Sequence, residues 1–156
     1  MQATITPEKT IATLNTLLRG ELAAVETYDQ VLAKLTDPST VALTENRDCH
    51  QKRTTALSQR ILELGGATAS SSGLWGNLAK LVEGGATIFG KQAALSALEE
   101  GEDRGLIDYR AANGCVDPTT QTLLDTKLLP AQKRTHQLMS TLCKAAASSK
   151  SAGQSS

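Results

Sequence analysis

The sequence predicts an all-α protein: an antiparallel four-helix bundle with a crossover segment between the second and third helices. Three observations carry this. Ala and Leu dominate the 156 residues, aromatics make up only 3%, and runs of β-branched residues are absent, which favours helix over sheet. Apolar residues recur at three- and four-residue steps, the period of a helix with one buried face. The chain also repeats itself. Gly20-Glu21 is followed by Tyr28, and Gly101-Glu102 by Tyr109, at the same spacing; these are the only Gly-Glu pairs and the only tyrosines. Each copy leads to an Asp-Pro turn (Asp37-Pro38, Asp117-Pro118) and then to one of the two histidines, His50 and His136, each followed by Gln. Two related helical hairpins facing each other account for that order.

The elements follow in turn. Thr6-Pro7-Glu8 has a capping hydroxyl, a proline where its missing N–H costs nothing, and an acid at the positive helix end. Leu14, Leu18, Val25, Tyr28, Leu32 and Leu35 then form one stripe. Asp37-Pro38-Ser39 starts the second helix, which runs to Gly65-Gly66 with Leu43, Asn46, His50, Thr54, Leu57, Ile61 and Leu64 inward. Glu45, Lys52, Arg53 and Arg60 read as its solvated face.

Residues 67–73 are a small-residue linker, and Leu74, Trp75, Leu78, Leu81 and Val82 then make a short amphipathic crossover. Its apolar face predicts a homo-oligomer. The third helix repeats the first: Leu95, Leu98, Glu102, Leu106 and Tyr109 match Leu14, Leu17/Leu18, Glu21, Val25 and Tyr28 in phase. Asn113-Gly114 ends it. Asp117-Pro118 caps the fourth helix, which Pro130 should kink or break. From Leu129 the pairing of the two hairpins sets Gln132, His136 and Ser140 against Asn46, His50 and Thr54. Residues 1–147 form the expected single domain, and the Ser-rich residues 148–156 an expected disordered tail.

Composition narrows the function classes. The formal net charge is zero, and no basic cluster argues for nucleic acid or a membrane surface. No apolar run is long enough to span a bilayer. The first residues lack the charged and apolar blocks of a signal peptide, so a cytoplasmic location is expected. Cys49, Cys115 and Cys143 are odd in number and lack metal-type CxxC spacing; they read as reduced thiols, with Cys143 a small core residue. No Ser or Cys sits in a nucleophile context.

The informative residues are polar groups on apolar stripes, because burying an unpaired carboxylate costs several kcal/mol, roughly. Glu21, Glu102, His50 and His136 recur in twofold fashion. Two carboxylates and two imidazoles are suitable ligands for one divalent ion such as Zn, Fe or Mn. Tyr28 and Tyr109 would supply hydrogen bonds around them or cap the site. The alternative is a metal-free structural or partner-binding bundle with a buried Glu/His/Tyr network, the carboxylates being neutralised by Arg47, Lys133 or the histidines.

Over about residues 8–145 the chain resembles the ferritin-like superfamily, in particular a bacterial four-helix-bundle family of unknown function distantly similar to rubrerythrin. The resemblance rests on the two Gly-Glu…Tyr repeats, the Leu64-Gly65-Gly66 stop, the crossover and the two His-bearing helices. It implies a metal-binding core and a bacterial stress or redox role. The ferritin-like di-iron pattern takes a Glu from two helices and Glu-x-x-His from the other two. Glu21, Glu102, His50 and His136 stand in matching places, but the residues three before each His are Arg47 and Lys133. Two carboxylates are thus replaced by cations, and di-iron oxidase chemistry is not expected.

Overall fold

The computed structural model describes residues 4–71 and 90–153. Helix α1 spans Pro7–Leu32, with Thr6 in extended backbone as its cap and the Lys9 amide donating to Thr6 Oγ1 at 3.3 Å. It buries Leu14, Leu17, Leu18, Glu21, Tyr28 and Val31. The Asp37 side chain accepts from the Ser39 amide at 2.8 Å and thereby folds the turn into α2, Thr40–Glu63. Gly65, at φ +78°, closes α2 together with Gly66, whose amide donates back to Ile61 O at 2.9 Å; this pairing requires a residue that tolerates the left-handed region.

Helix α3 spans Gly90–Ala112 and buries Leu95, Leu98, Glu102, Leu106 and Tyr109, the phase that the repeat predicts. Asp117 caps the short α4, Pro118–Leu123, accepting from the amides of Thr119 and Thr120. A π-helical turn, Leu124–Leu128, leads into α5, Leu129–Gly153. Pro130 explains this break. It donates no amide, and its ring crowds the carbonyl four residues back; the wider turn, in which the Leu129 amide reaches Leu124 O, gives that carbonyl room.

The hairpins α1–α2 and α3–α5 pack face to face. Tyr28 meets Glu102 while Glu21 meets Tyr109, so α1 and α3 run antiparallel and are related by a pseudo-twofold axis. Arg53 meets Gln132 and Asn46 meets Thr135, so α2 and α5 are antiparallel too. The result is an all-α antiparallel four-helix bundle, the fourth helix being made of α4, the π turn and α5, with no strand among the described residues. One apolar cluster (Leu14, Leu18, Leu57, Ile61, Leu124, Leu128) fills one end. Another (Val31, Leu43, Leu95, Leu98, Met139) fills the opposite end. The inward polar residues form the layer between them.

Several sequence expectations change. Arg53, expected on the solvated face, is 2% exposed, and Arg60 is half-buried and pairs with Asp117 at 3.1 Å. On α5 the buried residues are Ala131, Gln132, Thr135 and Met139, so the inward stripe is rotated from the one built on His136 and Ser140. Cys143 is half-buried, its thiol on Leu95 O at 3.3 Å. Helix α5 continues through residues 148–153, where a disordered tail was expected; Ala145, Ala146 and Ala147 are strong helix formers and carry it into the exposed Ser-rich stretch. The crossover residues Leu74, Trp75, Leu78, Leu81 and Val82 lie outside the described residues.

Candidate functional site

The central layer is built from buried polar side chains of α1, α2, α3 and α5. Glu21 on α1 and Glu102 on α3 sit at the same height, and each receives the tyrosine of the opposite repeat. The Tyr109 hydroxyl donates to Glu21 Oε1 at 2.6 Å, and the Tyr28 hydroxyl donates to Glu102 Oε1 at 2.7 Å. His50 from α2 lies between the carboxylates. Its Nδ1 is 2.6 Å from Glu21 Oε2 and its Nε2 is 2.8 Å from Glu102 Oε1. Both ring nitrogens can donate to carboxylates only in the imidazolium form. Burial opposes that charge, but the two carboxylates outweigh it and raise the His50 pKa above its ordinary value.

Arg53, one turn along α2, completes the layer. Its Nε donates to Glu21 Oε1 at 2.7 Å, and its Nη2 donates to Gln132 Oε1 at 2.9 Å. Nη2 also stands 2.7 Å from His50 Nδ1, and Glu21 offers one oxygen to each of the two side chains. On the other side, Glu102 Oε2 accepts from Gln132 Nε2 at 2.9 Å and Thr135 Oγ1 at 2.8 Å. Asn46 donates to the Tyr28 hydroxyl at 3.0 Å and to Thr135 O at 3.1 Å.

The charges balance inside the layer: two carboxylates face one imidazolium and one guanidinium. Burial alone would raise the Glu21 pKa, but Arg53 and His50 hold it well below the usual carboxylate range. Glu102 is lowered too, with burial opposed by the His50 charge and by its hydrogen bonds from His50, Tyr28 and Thr135. Burial and the adjacent carboxylates push both tyrosine hydroxyls well above their ordinary pKa, so they are donors throughout the working pH range. A cavity of about 10 Å³ touches Glu21, His50, Tyr109 and Gln132, room for one water and no larger ligand.

The structure therefore brings together Glu21, His50 and Glu102 of the four candidate ligands. It does not bring in His136, whose side chain is 27% exposed and whose Nε2 lies 2.6 Å from Asp103 Oδ1. The inward pair on α2 is His50-x-x-Arg53, and the corresponding pair on α5 is Gln132-x-x-Thr135; a buried Leu57 and a buried Met139 follow at the same spacing. Pairing the two histidines set the duplicates about one helical turn out of register. Arg47 and Lys133 are not in the layer either: Arg47 pairs with Asp29 at 2.8 Å and Lys133 is exposed. The signal for Arg53 was present, since 43, 46, 50, 53 and 57 follow an alternating three–four step.

The di-iron donor set does not fit these residues. It asks for Glu and His on the second and fourth helices, where this chain carries His50, Arg53, Gln132 and Thr135. A guanidinium has no lone pair to give, and every oxygen of Glu21 and Glu102 already accepts from a side chain. Among the described residues, no group of three or more His, Cys, Asp or Glu side chains is arranged to hold a metal ion. No described helix is long and apolar enough to cross a membrane.

Comparison with solved structures gives a fold match. A structure described as "ferritin like, diiron-carboxylate proteins from Bacillus anthracis str. Ames" superposes with a TM-score of 0.70 over 90% of this chain and 99% of that one, at 15% identity. At that identity the likeness establishes the ferritin-like fold alone. No curated protein matches the sequence. The family profile described as Domain of unknown function (DUF2383) matches residues 3–113, most of the chain and the whole first repeat. With the fold and its central layer in view, the chain belongs to the DUF2383 family, on a ferritin-like four-helix bundle.

Proposed function

We propose that this protein is a metal-independent ferritin-like bundle, a structural or partner-binding helical module rather than an oxidase. One observation carries this reading: the two core carboxylates are neutralised from within, by His50 and Arg53, at distances of 2.6–2.8 Å. A charge-neutral layer whose donors and acceptors are matched keeps the bundle in one register. It leaves no open ligand position for a substrate, and the adjoining cavity admits only a water.

The competing reading is a single divalent ion held by Glu21, His50, Glu102 and His136. It requires His136 to leave Asp103 and enter the core, and Arg53 to leave Glu21. Metal analysis of the full chain purified without chelators separates the two. Sub-stoichiometric metal, equal in the wild type and in a His50→Ala/His136→Ala double variant, supports the metal-independent bundle. Stoichiometric metal lost in the double variant would overturn it. Oxygen consumption with ferrous iron, expected at the level of buffer alone, tests the oxidase separately.

A further inference from the structure

We infer that Arg53 is this bundle's built-in counter-ion, a side chain that takes the place of a metal in one half of the core. Deepening the metal-independent reading, on which it rests, the inference assigns the closing of the site to one residue. Arg53 lies three residues after His50 on α2, the same i, i+3 spacing that the di-iron pattern uses for its Glu-x-x-His pairs, so both side chains face the core. Its side chain is 2% exposed, and all three nitrogens are engaged: Nε with Glu21 on α1, Nη2 with Gln132 on α5, and Nη1 with the Cys49 thiol at 3.3 Å. One cation thus ties three helices together, as a bridging metal would, and its charge is permanent.

The two halves of the layer have been closed by different means. Around Glu21 the charge is cancelled by Arg53 and shared with His50. Around Glu102 the corresponding residues are neutral, and Gln132, Thr135 and Tyr28 hold the carboxylate by hydrogen bonds while His50 supplies the charge. Removing a buried charge's only permanent partner is far more costly than removing an exposed one. Arg53 is therefore the residue whose loss would reopen the half-site, and a neutral nitrogen donor there would join Glu21 and His50 as a third ligand.

The test uses the full chain and three substitutions, read by thermal melting and cobalt(II) absorption. The wild type should show no cobalt band, and its Tm should be the same in chelator and in cobalt. Arg53→Met, which keeps the bulk and drops the charge, should lower Tm by roughly 10 °C, and Arg53→Lys, which keeps the charge, by less than half of that. Arg53→His should be destabilised in chelator, regain Tm with cobalt and develop the visible band of a nitrogen–oxygen site. A Met variant as stable as the Lys variant would overturn the counter-ion role and leave the metal-independent reading intact. A His variant that takes up no cobalt would likewise overturn the half-site. Tight cobalt binding by the wild type would overturn both readings together.

Discussion

The Tyr28 hydroxyl on α1 donates to Glu102 Oε1 on α3 at 2.7 Å, and Tyr109 on α3 returns the contact to Glu21 on α1 at 2.6 Å. Each repeat thus supplies the donor for the other repeat's carboxylate. The reciprocal pair fixes the stagger of α1 against α3, because a slide of one turn would break both bonds at once.

This predicts a loss from either side of the pair. Tyr28→Phe and Tyr109→Phe each remove one buried hydrogen bond to a charged acceptor, at a cost of about 1.5–3 kcal/mol. Tyr28→Phe should be the more damaging, since Asn46 also loses one of its two acceptors. Urea midpoints of the two variants, with unchanged slopes, check the order.

The two histidines should differ sharply in what their removal costs. His50→Ala leaves two buried carboxylates with one cation and should cost about 3–5 kcal/mol. His136→Ala removes a partly exposed pair with Asp103, and the loss should stay within about 1 kcal/mol. Equal effects in chemical denaturation would contradict the separation of His136 from the central layer.

The layer also predicts a two-sided pH dependence. His50 is raised above 6.5 by burial's losing contest with Glu21 and Glu102. Its contribution to stability is therefore complete below about pH 6.5 and declines as pH rises through the folded value. Glu21 and Glu102 are lowered below 4.5, so their contribution is complete above about pH 4.5 and is lost as pH falls through the folded values. The layer should stabilise most between those limits. Urea midpoints across a pH series measure it, and the decline above pH 6.5 should be absent in a His50→Gln variant.

Gly105 makes room for the neutral half of the layer. A Cβ built there would lie 2.8 Å from Gln132 Nε2, and that amide has little freedom, being bonded to both the Glu102 carboxylate and Glu102 O. Gly105→Ala should displace it and cost about 1–3 kcal/mol. Adding Gln132→Ala to the same chain should relieve the clash, so the double variant should lose less than the sum of the single ones.

Spacing along a single helix determined a large part of this protein. Glu21, Tyr28, Glu102 and Tyr109 were legible as inward residues because a 3.6-residue period decides which side chains share a face, whatever packs against it. Thr6, Asp117 and Gly65 were legible as helix ends for the same local reason, since caps and stops act within one turn. What lies opposite an inward residue is a different matter. That Tyr28 meets Glu102, that Arg53 rather than Arg47 neutralises Glu21, and that Gln132 rather than His136 enters the layer depend on how helices are rotated and staggered against one another. One residue of helix turns a side chain by about 100°, and the π turn ahead of Pro130 rephases α5 relative to the first hairpin. The repeated His-Gln pairs carried no trace of that rotation. Only the packed bundle decided it, because Met139, Leu128 and Leu124 must face the core, and burying them turns His136 out to Asp103.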